Sequence, residues 1–431
     1  MKRVSVLFNK LDFLTDMIEQ YNIKGSSIKI KKNKQFLHIF SSMKDFREKG
    51  KTIYRIDTLL LIIFFAKMDE EGSNCNAIAR YARLNYKFLA DEGVIEKKDD
   101  WENYEGAEQY KIPSHDCFRY FILNFDPEEL KKAFVDRITR FMDKLSKLTG
   151  KSKNGYTLLN VDGQEFRGTG RSKDANNPRS NFATLNIYDA SAGICIYSTP
   201  ITKKESEVPI ARELLSCMYL GNRIVTADGL HTVRETAALI LRKKGNYLMN
   251  VKSNQPSLLE DVMLQLSTDE FKKTILETDE RTLTIMEPVT LYGGEPVVDF
   301  PGIKTYIKSV SKIKKTEGSV LYFISSLKDH EAIKEAIENR WDIENGLHKG
   351  KDFYLDEDEF RINDKNAVQN FSVINNIIYS FFKIAHSLFG YKTFIETRKR
   401  FKLLPAETLK LMISLISSNQ FEDLINERVT K

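Results

Sequence analysis

The chain has 431 residues and a net charge of +6, and it is 42% hydrophobic and 29% charged, which is the composition of an ordinary globular protein with room for two or three domains. Its longest apolar run, residues 59–66, is far shorter than the roughly 20 residues that a membrane helix needs, and the first ten residues lack the apolar stretch of a signal peptide. The four cysteines are scattered without a Cys-x-x-Cys pair, which argues against a disulfide framework or a zinc site and predicts a cytoplasmic protein.

The first 150 residues are predicted to be mostly helical. Apolar residues recur at helical spacing over residues 52–68 and 127–148. In the second segment Asp126 is placed to cap the helix, and Pro127 suits the first helical position. The polar, glycine-bounded stretch 150–155 predicts a linker at a domain boundary.

Strands are predicted after this linker. The candidate strands are residues 156–161, 182–188, 194–199, 223–227 and 247–251, and helices are predicted at 209–218 and 233–244. The second and third strands are joined by a short turn and should form a hairpin. Strands that alternate with helices after an initial meander predict a mixed α/β sheet, in which sites form at the carboxyl ends of strands.

The pattern changes again after residue 254. Strands are predicted at 281–286, 306–311 and 320–325, and helices at 330–351 and 367–389. We therefore expect a helical N-terminal domain (1–150), an α/β domain in two parts (151–254 and 329–390), a β-rich insertion between them (255–328) and a C-terminal helical segment (391–431).

Three carboxylates indicate a possible metal site. Asp162 and Asp228 each close a short apolar run and are followed by glycine, and they become neighbours if their strands pair in parallel. Glu344 lies in the predicted helix 330–351. Acids that share a small space repel each other unless a cation holds them, so the pattern indicates divalent metal ions and phosphodiester chemistry. In a chain with 60 Asp and Glu residues, such a triad is by itself a weak signal.

The surroundings of Glu344 allow more than one interpretation. At about 100° per residue, Glu344 falls near the middle of an apolar helix stripe, with Arg340 one turn earlier and His348 one turn later. A carboxylate that faces a core costs several kcal/mol unless it is paired or bound to metal. One alternative is an ordinary ion pair between Arg340 and Glu344, and another is a helix that projects beyond the sheet, so that these residues are solvated.

Several motifs, in this order, resemble those of the DDE transposases of bacterial insertion sequences. Residues 161–168 (Val-Asp-Gly-Gln-Glu-Phe-Arg-Gly) resemble the motif that contains the first catalytic Asp, and residues 224–229 resemble the motif that contains the second. Residues 251–255 resemble the Lys-x-Asn-Gln segment that follows. The order is completed by residues 113–118, 322–327 and 340–348. One branch of the family carries Tyr-x2-Arg-x3-Glu-x6-Lys, which Arg340, Glu344 and Lys351 fit, whereas Ile337 stands at the Tyr position. His231 is also not the residue expected there, and we interpret it as a surface-loop histidine.

The resemblance implies a ribonuclease H-like core with a β-strand insertion, and a metal-dependent enzyme. Asp162, Asp228 and Glu344 would ligate two Mg²⁺ or Mn²⁺ ions that cut DNA at the element ends, after which the freed 3′-hydroxyl attacks target DNA. Phosphate contacts are expected chiefly from Arg340 and Lys351, and less firmly from Lys252, Asn254, Arg167 and His348.

The resemblance also implies the partners of this chemistry. These are the double-stranded DNA of terminal inverted repeats and target, and a second copy of the chain. The helical N-terminal region would help to recognise the repeats, in association with the nucleoid. Two other functions stay open: a ribonuclease H-like host nuclease without strand transfer, and an inactive transposase relic that only binds DNA. The presence of all three acids argues against the relic.

Overall fold

The protein folds into two compact units, each with its own core. A computed structural model describes residues 39–69, 71–135, 137–138, 141, 154–170, 181–201, 207–267, 273–287, 299–389 and 393–417. The helical unit comprises Met1–Thr149, Glu165–Phe182 and Lys349–Lys431, and the sheet unit comprises Gly150–Gln164 and Ala183–His348. Across the described ranges, no helix combines the length and apolarity needed to cross a bilayer.

Within the described residues, nine strands form one mixed sheet. They are β1 Thr157–Phe166, β2 Phe182–Asp189, β3 Ile194–Ile201, β4 Arg223–Ala227, β5 Asn246–Val251, β6 Lys273–Glu277, β7 Arg281–Met286, β8 Thr305–Ser311 and β9 Val320–Ser325. Their order is β3-β2-β1-β4-β5-β9-β8-β7-β6. Strands β1, β4 and β5 pair in parallel, whereas β2–β3 and the pairs from β5–β9 outward are antiparallel. The mixed α/β class and the β2–β3 hairpin are therefore confirmed.

Helices surround this sheet and build the other unit. They are α1 Ile56–Met68, α2 Cys75–Leu84, α3 Tyr86–Asp91, α4 His115–Asn124, α5 Pro127–Leu130, α6 Glu207–Cys217, α7 Arg234–Arg242, α8 Pro256–Ser267, α9 His330–Asn339, α10 Lys349–Leu355, α11 Lys365–Phe389, α12 Phe394–Leu403 and α13 Pro405–Ser417. Asp126 caps α5 as predicted, because its Oδ1 accepts a hydrogen bond of 3.0 Å from the backbone N–H of Glu128.

The two faces of the sheet carry separate apolar cores. Alternation along β4 sends Val225 and Ala227 into a core with residues of α6, α7 and α8, and sends Ile224 into a second core with residues of α9. Both faces of the parallel strands are thus buried, which explains why these strands read as continuous apolar runs.

Several elements differ from the sequence-based prediction. Strand β1 runs on to Phe166, so Asp162 lies within the strand and not at its end. Strand β6 was not predicted, because it is a sheet edge with half-exposed residues and a weak apolar pattern. Beyond α5 the chain continues as a π-helical turn, Lys131–Val135, and most of the remaining predicted helix to residue 148 lies outside the described residues.

The prediction of one continuous helix over residues 330–351 is wrong. Helix α9 ends at Asn339, and a π-helical segment, Ile343–His348, precedes α10. A π-helical turn is wider than 3.6 residues and shifts the phase of the helix. Ile343 and Leu347 therefore remain buried while Glu344 is exposed, and the placement of Glu344 on the buried stripe is also wrong.

Buried charges hold part of the helical unit together. The Nζ of Lys351 lies 2.9 Å from the Oε2 of Glu357, and both side chains are at most 1% exposed. The Nδ2 of Asn375 donates to the other oxygen of Glu357 at 3.0 Å. Lys67 donates to the carbonyl of Leu355 at 3.0 Å, and burial lowers the pKa of this lysine to about 7.

We predict that Lys351→Ala lowers the free energy of unfolding by about 3–5 kcal/mol, because it leaves the Glu357 carboxylate buried without its cation. Urea denaturation followed by circular dichroism measures this loss. Lys349→Ala, at an exposed neighbour in the same helix, is the control and should change stability by less than about 0.5 kcal/mol. Equal stability of the two variants would contradict a structural role for the Lys351–Glu357 pair.

Candidate active site

Parallel strand pairing brings Asp162 and Asp228 together. The register of β1 and β4 pairs Leu159 with Val225 and Val161 with Ala227. The residues that follow this last pair are the two acids, Asp162 within β1 and Asp228 directly after β4, so they lie side by side. Parallel pairing of these two strands was the condition under which the sequence analysis expected the acids to be neighbours, and it is met, at the sheet edge where the carboxyl ends of parallel strands form sites.

A buried amide ties the helix that precedes Glu344 to the same two strands. The Nδ2 of Asn160 donates to the carbonyls of Asn339 and Arg340, at 2.8 Å and 3.3 Å. Its Oδ1 accepts a hydrogen bond of 2.7 Å from the hydroxyl of Thr226 on β4. Asn160 and Thr226 are both 2% exposed. The end of α9 is thus fixed over the sheet two residues before each Asp.

The electrostatics of Asp162 show how close the acids are. Burial is the main cause that raises its pKa, the negative charges of Glu344, Glu207 and Asp228 add to it, and the N–H of Gly163 opposes them, so that the pKa lies at about 7. A carboxylic acid with this pKa is only partly ionised at neutral pH. The site therefore holds mutually repelling acids that a cation would stabilise.

Asp228 is neutralised by a lysine of the next parallel strand. The Nζ of Lys252 lies 2.5 Å from the Oδ1 of Asp228. Burial alone would raise the pKa of Asp228, but the hydrogen bonds from Lys252 and Gly229, with the charges of Lys252 and Arg340, lower it below its ordinary value. The Nδ2 of Asn254 donates to the carbonyl of Gly229 at 3.0 Å and supports the same turn.

His348 and Arg340 complete the surroundings of the acids. The Nδ1 of His348 lies 3.7 Å from the Oδ2 of Asp162, and its Nε2 lies 3.2 Å from the amide nitrogen of Asn186. Burial lowers the pKa of Arg340, while the charges of Asp228 and Glu344 act in the opposite direction. Within the described residues Arg340 forms no salt bridge, and its Nη1 is buried without a hydrogen-bond partner.

The predicted site residues fall in both units. The sheet unit contains the three acids and four of the proposed DNA contacts: Asp162, Asp228, Glu344, Arg340, His348, Lys252 and Asn254. Arg167 and Lys351 belong to the helical unit. The side chain of Arg167 is 79% exposed, with its Nε 4.0 Å from Asp358, whereas Lys351 is fully buried against Glu357.

The donor set suits a hard divalent cation, although the side chains are not arranged around one. Nowhere in the described ranges do three or more His, Cys, Asp or Glu side chains group closely enough to hold a metal ion. Asp228 is instead paired with the ammonium group of Lys252. Oxygen ligands are those that Mg²⁺ prefers, and to bind such an ion Asp228 would have to exchange Lys252 for it.

Comparison with known proteins settles the family. The transposase DDE domain matches residues 153–381, more than half of the chain, and the DDE_Tnp_1-associated domain matches residues 37–137. The chain belongs to the DDE-domain transposase family.

Relatives of this transposase-family protein occur in Escherichia coli. It is 24% identical to "Putative protein YbfL" and 23% identical to "H repeat-associated putative transposase YhhI", both of strain K12, and each alignment covers 80% of this chain and 89% of the relative. A "Putative transposase YncI" of strain O157:H7 is 25% identical over 79% of this chain and 85% of its own. Among solved structures, a piggyBac transposase synaptic complex with hairpin DNA aligns over 92% of this chain and 82% of that chain, with 13% identity and a TM-score of 0.41.

The contact between Glu207 and His231, beside the acids of this transposase-family protein, was missed by the sequence analysis. The Oε1 of Glu207 lies 3.0 Å from the Nε2 of His231, and both side chains are buried. The Glu207 carboxylate lies 3.2 Å from where a Cβ on Gly163 would stand, and the N–H of His231 donates to the carbonyl of Asp228 at 2.9 Å. The pair therefore connects the segments that follow the two Asp residues.

The interpretation of His231 as a surface histidine is wrong, since it is 1% exposed. Its burial follows from pairing with Glu207, which begins helix α6. No local pattern links two residues in different elements, so the sequence offered no signal for this contact.

We predict that Asn160→Ala lowers the free energy of unfolding by about 1–3 kcal/mol, because it leaves the Thr226 hydroxyl and two helix-end carbonyls without their buried partner. Urea denaturation tests this. Asn154→Ala is the matched control, since Asn154 donates to the half-buried side chain of Glu335 among the described residues, and it should have a smaller effect. If both substitutions have the same effect, Asn160 is not the tie between sheet and helix.

We also predict that the contribution of Asp162 to stability in EDTA falls as the pH rises from about 4 to about 7 and then levels off. Asp162 ionises near pH 4 in the unfolded chain but at about 7 in the folded state, so the folded state is penalised progressively over this range. Asp162→Asn should remove this part of the pH dependence, and its stability advantage should grow towards pH 8.

Urea denaturation at pH 5, 6, 7 and 8 measures this advantage. The exposed Asp279→Asn serves as the control. An advantage of Asp162→Asn that is constant with pH would contradict the raised pKa.

Proposed function

We propose that this protein is a transposase that cuts DNA at the ends of an insertion sequence and joins the freed 3′-hydroxyl to target DNA. Asp162, Asp228 and Glu344 are the proposed ligands of two Mg²⁺ or Mn²⁺ ions. The observation that carries the proposal is the meeting of Asp162 with Asp228 at adjacent parallel strands, within the electrostatic range of Glu344. Membership of the DDE-domain family supports the same chemistry.

The bound ions would supply the chemistry by activating the attacking oxygen and stabilising the leaving oxygen. The residues of the chain do the rest. Asp162 must lose its proton, and Lys252 must release Asp228. His348 lies beside one oxygen of Asp162 and is placed to orient that carboxylate. No Ser or Tyr nucleophile is required, because water and then the 3′-hydroxyl attack the phosphorus.

The proposed DNA contacts differ in their exposure and in the protein partners that they already have. Arg340 has a buried N–H without a partner within the described residues, which favours it as the phosphate contact nearest the acids. Lys252 and Asn254 lie exposed on the turn beside Asp228, and Arg167 is exposed in the helical unit. Lys351 could reach a phosphate only if its ion pair with Glu357 opens.

Terminal repeats and target DNA are the proposed partners. Paired-end chemistry would need a second copy of the chain. The region matched by the associated domain, residues 37–137, is the proposed reader of the repeats. The lysine-rich start of the chain, which we expected to add salt-sensitive affinity, lies outside the described residues.

We predict that Asp162→Asn, Asp228→Asn and Glu344→Gln each reduce metal-dependent cleavage to background while end binding is retained. The substrate is a plasmid that carries the DNA flanking the gene, incubated with Mn²⁺, and cleavage is followed on sequencing gels. Glu338→Gln, at an exposed position on α9, is the control and should cleave normally. Normal cleavage by any of the three variants would refute the assignment of the metal ligands.

Strand transfer separates transposition from the other functions. A labelled 3′-end should become joined to a second plasmid in the presence of Mn²⁺. Cleavage without joining would indicate a nuclease, and DNA binding without either reaction would indicate a relic; each result would overturn the proposed function.

A further inference from the structure

We propose that Arg281 and Arg340, held over the ring of Trp341, form a binding site for a backbone phosphate of DNA beside the three acids. The inference rests on the proposed function, because it takes DNA as the source of the phosphate. It adds two residues, Arg281 and Trp341, that the sequence motifs did not indicate.

The two arginines share one aromatic ring. The guanidinium carbon of Arg281, on strand β7, lies 4.8 Å from the centroid of Trp341, and that of Arg340 lies 4.5 Å from the same centroid. Arg340 also lies 5.2 Å from the ring centroid of Phe323. Cation–π contacts at these distances hold a guanidinium group in place without using its N–H donors. The ring contacts therefore leave the N–H donors to other partners.

Neither guanidinium group forms a salt bridge in the described part of the chain. Arg281 is only 9% exposed, and its hydrogen bond, from Nη1 to the hydroxyl of Ser309 at 3.2 Å, goes to a neutral group. The Nε of Arg281 and the Nη1 of Arg340 are buried without a hydrogen-bond partner. Buried charges in proteins are normally paired, so two such cations side by side require an explanation.

The charges around Arg340 indicate where the missing anion would lie. Burial is the main cause that lowers the pKa of Arg340, and the positive charge of Arg281 lowers it further. The charges of Asp228, Glu344 and Asp162 act on the same group in the opposite sense. Arg340 thus stands within range of the acids and of Arg281. A phosphate bound by both arginines would neighbour the phosphodiester that the acids act on.

A purely structural role explains the two arginines less well. Of two lysines buried in the helical unit, Lys67 donates to a carbonyl and has its pKa lowered to about 7, and Lys351 has a carboxylate at 2.9 Å. Arg281 and Arg340 have none among the described residues, and their mutual repulsion opposes folding. The planar guanidinium fork matches two oxygens of a phosphate, which makes an oxyanion the expected ligand.

The test is the salt dependence of DNA binding by Arg281→Met. Affinity for a fluorescent duplex of arbitrary sequence is measured by anisotropy in EDTA at several salt concentrations. Each phosphate contact contributes about 0.9 to the slope of log K against log salt. We expect Arg281→Met to reduce the magnitude of that slope by about one and to weaken binding to all sequences alike. Arg281→Lys, which keeps the charge, should retain the slope.

Arg234→Met is the matched control. Arg234 is an exposed arginine of the same unit whose guanidinium is already paired with Asp299 at 2.8 Å. Removing it should leave the slope unchanged. A reduced slope in this control equal to that of Arg281→Met would overturn the proposal, because any arginine would then give the effect.

Thermal melting distinguishes a ligand site from a structural one. Arg281→Met removes a buried, unpaired charge, so its melting temperature should be unchanged or higher. A lower melting temperature with an unchanged slope would overturn the proposal. If Arg281→Met is unfolded at the assay temperature, Arg281→Gln replaces it in the test, because glutamine keeps a donor for Ser309. Arg281→Gln should show the same loss of slope. An unchanged slope for Arg281→Gln would also overturn the proposal.

These results do not depend on the cleavage chemistry. EDTA prevents metal-dependent cutting, so the loss of slope is measured whether or not Asp162→Asn abolishes cleavage. A slope that falls while Asp162→Asn still cleaves would refute the metal ligands alone. An unaltered protein that does not bind DNA would overturn both proposals.

Discussion

The hydrogen bonds of Asn160 are the constraint on which the site depends. Parallel pairing of β1 and β4 explains why Asp162 and Asp228 are neighbours, but it cannot position a helix that comes more than a hundred residues later. The Asn160 amide does so, because it is buried, accepts from Thr226 and donates to the last carbonyls of α9. Hydrogen bonds are strong in a low-dielectric core, and a buried side chain whose donors and acceptor are all paired fixes the position of its partners. It thereby determines where Arg340, Trp341 and Glu344 emerge above the sheet.

The charges that this constraint brings together oppose folding. Asp162 is held among three other carboxylates, and Arg340 is buried beside Arg281. Sites that bind charged ligands commonly trade stability for function in this way. Lys252 relieves part of the repulsion by pairing with Asp228, and the Glu207–His231 contact keeps the two Asp-bearing segments in place. Cations at the acids and a phosphate at the arginines would relieve the rest, so each ligand would stabilise the arrangement that binds it.

Much of the sheet could be predicted from sequence because its signals are local. Strands β4, β7 and β9 begin and end where apolar runs meet polar turns. The parallel pairing that unites Asp162 and Asp228 could be stated only as a condition, because no local pattern determines which strands pair. The environment of Glu344 could not be predicted, since a wheel of 3.6 residues per turn cannot anticipate a π-helical turn. The Glu207–His231 contact joins two elements through tertiary packing alone, which leaves no periodicity to detect.

Lys351 and Arg281 show why motif spacing does not decide what a cation binds. Lys351 fits the spacing of a family signature, yet its side chain is buried and paired with Glu357. Arg281 fits no signature, yet it is buried with an unpaired donor within range of Arg340. A buried cation that already has its carboxylate gains little from a phosphate and must first lose that partner. A buried cation without a carboxylate partner has no ion pair to break before it binds a phosphate. The availability of a partner, which only the fold reveals, therefore favours Arg281 over Lys351 as the contact to DNA.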